Sequence, residues 1–250
     1  MIKHYLKVAF RNLMKYKTQS LVSIIGLAVG FTCFALSALW IRYEMTYDDF
    51  HEGADRIYLA GSSFRLYGDG FNYNSSSFLA DYLAKNCPEI EKVCRIYYDW
   101  DEKKIKNEDT EFSVRRIEVD SSFISMFNIK VLDGDNHLQL KKDEIAITEN
   151  MAKRIFGKES PIGKHLILEE SNEEKIIVAV VKSWEGHSLF SFDILLPFHD
   201  TNPNWGNQRC QTLFRIYPNC DIEALKQRLS EYEVQQDGHK YPNSTLIAPL

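Results

Sequence analysis

Residues 21–41, from Leu21 to Ile41, read LVSIIGLAVGFTCFALSALWI and carry no charged side chain. At about 1.5 Å per residue, a helix of that length crosses a hydrocarbon core of roughly 30 Å. The two flanks differ. Residues 1–20 hold five basic side chains (Lys3, Lys7, Arg11, Lys15, Lys17) and no acid, so a net charge of −5 over 250 residues leaves −10 to the part after Ile41. Basic flanks stay on the cytoplasmic side, which predicts a cytoplasmic N-terminus and residues 42–250 outside. A cleaved secretory signal is the competing reading. Signal cores are shorter, about 7–15 apolar residues, and Ala35-Leu36-Ser37 is only a faint cleavage motif, so the spacing favours an uncleaved anchor.

The first twenty residues have a pattern of their own. Ile2, Leu6, Phe10 and Leu13, with Tyr5 and Ala9, recur at helical spacing, and Lys3, Lys7, Arg11 and Lys15 recur on another face. That predicts an amphipathic basic helix over 1–20, lying on membrane lipid at the inner surface. The plainer reading is an extension of the spanning helix with a solvated basic face. Within the span, Gly26 and Gly30 form a G-x-x-x-G, which lets another helix approach closely.

The acidic remainder reads as one mixed α+β domain. Arg56–Arg65 is rich in β-formers and runs to a turn at Tyr67–Gly70. Ser75–Ser77 caps a helix carrying Phe78, Leu79, Tyr82 and Leu83, which stops at Pro88, and Val93–Tyr98 is a strand. Asp101–Glu111 is a charged turn or hairpin, followed by a strand over Phe112–Val119. Asp120 caps a short helix with Phe123, Met126 and Phe127 as its apolar side. Glu144–Thr148 is a strand whose last residue caps Glu149–Phe156, closed by Gly157, with a turn at Ser160–Gly163. Strands follow at His165–Leu168, Lys175–Val181, Phe192–Leu196 and Thr212–Tyr217. Asp221 caps a helix with Ile222, Leu225, Leu229 and Tyr232, and Leu246–Leu250 starts a further strand. A β-α-β unit, a β-rich stretch, then β-α-β again is a split, ferredoxin-like plan. It predicts a ferredoxin-like layer from 53–110 and 205–250, with a β-rich insertion at 111–204.

A search for chemistry is mostly negative. The chain has no phosphate-cradling G-x-x-x-x-G-K-[ST], no G-x-S-x-G, S-x-x-K or H-E-x-x-H, and no C-x-x-C. Seven scattered histidines give no metal-ligand spacing, and an acidic bulk excludes a nucleic-acid surface. His187 with Glu185 and Ser188 reads as an ordered polar loop rather than a catalytic set. Asp48-Asp49-Phe50-His51-Glu52 reads as a solvated charged stalk rather than a cation site. No catalytic residue, cofactor or metal is expected. Cys33 lies in the span. Cys87, Cys94, Cys210 and Cys220 are either buried thiols or disulfides, with Cys87–Cys94 and Cys210–Cys220 as short-loop options.

Several stretches resemble the permeases of MacB/FtsX-type ABC transporters. Leu6-Lys7-Val8-Ala9-Phe10-Arg11-Asn12-Leu13 running into Gly26–Gly30 is similar to their start. Tyr43-Glu44-Met45-Thr46-Tyr47-Asp48-Asp49-Phe50-His51 with Ala54-Asp55-Arg56-Ile57-Tyr58 resembles the variety common in Bacteroidetes, as does Val119–Phe123 with Met126-Phe127. Ile147-Thr148-Glu149, Ala152, Phe156-Gly157 and Pro161–Lys164 resemble the family's periplasmic core domain. The order of these motifs covers residues 1–200. The resemblance implies a first membrane helix and an outer domain that pairs a porter-like part with a β-rich one. It also implies a cytoplasmic ABC ATPase as partner, a homodimer or pseudo-dimer of permeases, contacts with other envelope proteins, and no enzymatic activity. Family members carry further membrane helices after the outer domain. The expectation is therefore the N-terminal segment of a permease that transmits ATP-driven motion, the alternative being a stand-alone anchored binding module.

Overall fold

The computed structural model describes residues 2–48, 50–63, 71–184, 186, 188–236 and 238–250. The chain forms two compact units, Met1–Tyr47 and Asp48–Leu250. The turn expected at Tyr67–Gly70 lies outside the described residues, as do Glu185 and His187.

The first unit is two helices, α1 (Ile2–Lys15) and α2 (Lys17–Glu44). The break falls at Tyr16, earlier than residue 20, where the backbone leaves helical geometry (φ −110°, ψ 55°). The apolar helix is consequently longer than the uncharged run, at 28 residues, and none of its residues is buried. It is long and apolar enough to cross a membrane.

Among the described residues, the second unit is built on one large mixed sheet of 14 strands. Its base consists of β1 (Ile57–Ser63) and, beyond the short pairs β2 (Phe71–Asn72) and β3 (Ser75–Ser76), helix α3 (Ser77–Asn86) and strand β4 (Ile90–Tyr98). The slot between β1 and β4 is filled from far along the chain by β13 (Gln208–Ile216), antiparallel to both, with Leu213 opposite Leu59 on one side and Cys94 on the other. Helix α6 (Ile222–Ser230) then leads, past the separate hairpin β14–β15 (Tyr232–Gln236 and His239–Asn243), to β16 (Thr245–Pro249) on the outer edge of β1. The order β16-β1-β13-β4 is two interleaved β-α-β units, the expected split plan.

Alternation along β13 explains why both faces are covered. Leu213 joins the core formed with Ile57, Leu59, Cys94 and Ile96, whereas Phe214 and Ile216 join Leu79, Leu83, Leu225 and Leu229 of α3 and α6. Each such side chain, fully buried, contributes about 1.5–3 kcal/mol. The helices start where their caps dictate. Ser76 Oγ accepts from Phe78 N at 3.2 Å, and Asp221 Oδ1 accepts from Glu223 N and Ala224 N at 3.1 and 3.0 Å. Helix α6 stops at Ser230, so Tyr232 opens β14 instead of extending the helix. Its ring stacks on Tyr82 at 4.7 Å and its hydroxyl pairs with Thr245 at 2.7 Å.

The sheet continues outward from β4. Hairpin β5–β6 (Lys103–Asn107 and Thr110–Val114) and β7 (Arg116–Val119) come from what the sequence presents as one hairpin and one strand. The expected strand Phe112–Val119 is cut at Arg115. Its N–H donates to Asp193 Oδ2 at 2.8 Å and its carbonyl accepts from Asp193 N at 2.7 Å, so the chain is strapped to a distant loop there. Strand β7 pairs with β4, while β6 goes to the far edge beside β5. Asp120 does not cap the next helix, α4 (Ser122–Met126), through its side chain; that carboxylate accepts from Arg95 N and Nε at 3.0 and 2.9 Å.

Beyond lie β8 (Val131–Gly134), β9 (Glu144–Thr148), α5 (Glu149–Phe156), β10 (His165–Leu168), β11 (Glu173–Val181) and β12 (Ile194–Pro197). Strand β12 is parallel to β7, β11 is parallel to β9, and β10 carries β5 at its outer side. Ile145, Ile147, Ile177, Leu166 and Ile105 pack with Met151 of α5 into the core of this end. Strand β8 escaped the sequence reading, and its last residue is tightly constrained. Gly134 has φ +90°, and a Cβ there would sit 2.1 Å from the Val178 carbonyl oxygen. Gly134→Ala should therefore cost about 2–4 kcal/mol, from left-handed strain plus overpacking. Gly157→Ala, also at positive φ but with open space around it, should cost only about 1–2 kcal/mol. Urea unfolding of the two variants checks the difference.

Candidate functional site

The chain passes from the first unit to the second at Tyr47–Asp48. The charged segment that begins at Asp48 is not a solvated stalk. Asp48 is 3% exposed and His51 5%. Asp48 takes a left-handed backbone (φ 55°), which Asp tolerates better than most residues, and this turns its carboxylate inward. Its Oδ2 accepts from Leu189 N at 3.0 Å. Its Oδ1 faces His51 Nε2 at 3.5 Å, the outer limit of a hydrogen bond, and among the described residues neither of these two buried atoms makes a hydrogen bond.

Aromatic rings close around the pair. The His51 ring lies 4.6 Å from Trp184, 4.8 Å from Phe127 and 4.1 Å from Phe50. Trp184 in turn meets Phe192 edge-on at 5.1 Å, and Phe127 meets Phe123 at 4.8 Å. Pairs at these spacings contribute about 0.5–1.5 kcal/mol each beyond their burial. Gly186 lets the 183–193 loop lie against Phe50, since a Cβ there would fall 2.4 Å from the ring.

The lead-in segment is fastened along its length. Glu52 Oε2 accepts from Asn128 Nδ2 at 3.0 Å. Arg56 Nη1 donates to Glu91 at 3.2 Å and to the Ile216 carbonyl at 3.1 Å, and Glu91 also accepts from Arg215 at 2.8 Å. The cations on either side hold the Glu91 carboxyl below its ordinary range against the opposing effect of desolvation. Within ten residues the chain is tied to the end of α4, to the 183–193 loop and to the ends of β4 and β13.

This arrangement holds the chain in place. Asp48 and His51 are sealed from solvent, so a substrate cannot reach them. Among the described residues no group of three His, Cys, Asp or Glu could hold a metal ion. All five cysteines are free thiols, which settles the two disulfide options against pairing. Cys87, Cys94 and Cys210 are buried, and burial pushes the Cys210 thiol up to about 12, far from nucleophilic. The residues singled out from the sequence lie elsewhere. Gly26 and Gly30 are on α2, and a Cβ at either would meet nothing within 4 Å. Lys7, Arg11, Lys15 and Lys17 are exposed on α1 and the start of α2, while the Lys3 side chain lies outside the described set. Sequence reasoning placed Phe127 on the apolar side of a short helix but not beside His51, and it missed Trp184 and Leu189, whose signal was the aromatic density of 184–192.

The fold defines an outer domain of ABC-type permeases. The chain belongs to the MacB-like periplasmic core domain family, which it matches over residues 20–232. A domain described as that of a permease protein from Porphyromonas gingivalis superposes with a TM-score of 0.65 at 19% identity, covering 80% of this chain and 93% of that one. The periplasmic region of MacB from Actinobacillus actinomycetemcomitans gives 0.53 at 10% identity over 71% and 82%. The extracellular domain of the noncanonic ABC-type transporter YknZ from Gram-positive bacteria gives 0.52 at 14% over 68% and 88%. At these identities the likeness is one of fold. A search of curated proteins gave no match.

Removing the Asp48 carboxylate strands the Leu189 N–H. Asp48→Ala should destabilise the domain by about 1–3 kcal/mol. Asp48→Asn keeps an acceptor and tolerates the left-handed backbone, and should cost less than about 1 kcal/mol. Amide exchange at Leu189 provides the local readout, rising in the alanine variant only.

Proposed function

We propose that this chain is the N-terminal part of an ABC transporter permease subunit whose periplasmic domain transmits ATP-driven motion, for export or for mechanical work on the envelope. The observation that supports this reading best is the fastening of the segment that opens the outer domain. Asp48, one residue beyond Tyr47, is already hydrogen-bonded into the domain. A displacement of the chain there is a displacement of α4 and the 183–193 loop, because interfaces this tightly packed shift as units.

In this reading α2 spans the inner membrane, with residues 1–20 cytoplasmic and 42–250 periplasmic. The exposed cations Lys7, Arg11 and Lys15 of α1, with Lys17 at the start of α2, lie on inner-leaflet phosphates, each worth about 1 kcal/mol. Gly26 and Gly30 present an open face to a neighbouring helix. The outer domain divides into a porter-like layer (53–110 and 205–250) and an inserted part (111–204), although β5 from the first segment pairs with β6 and β10 of the second. The partners are a cytoplasmic ABC ATPase and a second permease in a homodimer or pseudo-dimer. Nothing in the sealed Asp48–His51 pair or the protonated thiols supports an enzymatic role. The family's working cycle is carried over here as part of the proposal.

The test uses the complete permease in its membrane with its ATPase. A flexible Gly-Ser insertion between Tyr47 and Asp48 should leave ATP hydrolysis intact while abolishing the work coupled to it, and Gly26→Leu with Gly30→Leu should impair assembly. Retained coupling with the insertion sinks the transmission role. Failure of any ATPase to copurify favours a stand-alone anchored module.

A further inference from the structure

Helices α1 and α2 meet inside the first unit, and the bend between them leaves a groove. Tyr16 interrupts the helix there. Its N–H still donates to the Asn12 carbonyl at 3.0 Å, and its own carbonyl accepts from Ser20 N at 3.0 Å, so the two helices stay joined at the bend. The groove holds about 540 Å³, within the usual range of ligand sites, about 300–1,000 Å³. Its lining changes along its length. Asn12 of α1 with Gln19 and Ser20 of α2 line it beside the bend, and Ile24 and Leu27 line it further along α2. From Ser20 to Leu27 a helix rises about 10 Å, so hydrogen-bonding groups give way to aliphatic ones over the depth at which a phospholipid passes from headgroup to acyl chain.

Positive charge collects at the polar end. Lys15 Nζ lies 5.4 Å from the centre of the Tyr16 ring, and that ring lines the groove. Lys17 follows directly, and both lysines are exposed. Residues 1–20 hold no acid to neutralise them. Cations near a membrane surface attract anionic headgroups, and the apolar end of this groove gives such a lipid a place for its chain.

We propose that this groove holds one anionic phospholipid of the cytoplasmic leaflet, with its headgroup phosphate at Lys15 and Lys17 and an acyl chain along Ile24 and Leu27. The site rests on the functional reading in which α2 spans the bilayer with its N-terminus inside. A second copy of the chain is the rival occupant. Its own first twenty residues bring five cations and no acid against Lys15 and Lys17, whereas an anionic lipid matches both ends of the groove. A lipid seated there braces a bend at which α2 takes no side-chain cap.

Lipid retention by the full chain tests this. The chain is reconstituted in vesicles of equal phosphatidylglycerol and phosphatidylcholine and taken up in mild detergent, and the lipid that stays with it is counted by headgroup. A single phosphatidylglycerol should stay with each chain. Lys15→Gln with Lys17→Gln should cut its preference over phosphatidylcholine about 30-fold, at about 1 kcal/mol per cation. Ser23 also lines the groove, so Ser23→Phe fills it without changing charge and should abolish retention, while Val29→Phe, outside the groove, should not. Equal retention of the two lipids, or retention that survives Ser23→Phe, overturns the site and leaves the span standing. A chain that keeps no lipid also overturns it, and if that chain runs as a dimer a second copy covers the groove instead. A chain that alkaline carbonate strips from the vesicles does not span, and both readings fall.

Discussion

The backbone hydrogen bonds that seat β13 between β1 and β4 are the constraint on which the rest of the domain depends. Strands β1 and β4 are joined through helix α3, run parallel and lie two places apart, leaving one slot between them. The strand that fills it, residues 208–216, runs antiparallel to both. All that lies between Tyr98 and Gln208 must then leave the layer and return to it. It does so as an extension of the same sheet, joined through the pairing of β4 with β7. One slot thus fixes the split plan, the insertion and the two-sided core.

The lead-in segment applies the same logic at the other end. Segment 48–57 has little regular secondary structure of its own, and its shape is set by what it touches. A left-handed Asp48, the His51 ring among three aromatics, and Arg56 bridging Glu91 and the Ile216 carbonyl substitute for the hydrogen bonds of a helix or strand. Burying a histidine and a carboxylate together is costly unless they are satisfied, and two of their atoms make no hydrogen bond. The compensating stabilisation is the surrounding aromatic packing, so polar and apolar parts of this site stand or fall together.

Much of the fold was legible in the sequence because its signals are local. The span is set by length and lack of charge, the helices by Ser76, Thr148 and Asp221 at their caps, and the base strands by alternation. Where reading failed, the deciding partner was far away in sequence. The alternation of Phe112–Val119 continues without a mark through Arg115, and it is Asp193 that breaks the strand there. The letters DDFHE signal solvent, yet Phe127 and Trp184 bury the histidine. Strand β8 is four residues long and ends in Asp-Gly, so it carries no alternation to find. The packing site was least legible for the same reason: each of its members is unremarkable until the others arrive.

The late arrival of β13 also governs the chemistry of folding. Cys94 on β4 and Cys210 on β13 are both buried once the slot is filled. During synthesis, at about 5–20 residues per second, residues 99–207 occupy on the order of ten seconds between them. For that interval the Cys94 thiol has no neighbouring strand over it. A bulky oxidation product on this fully buried sulfur would oppose the docking of β13.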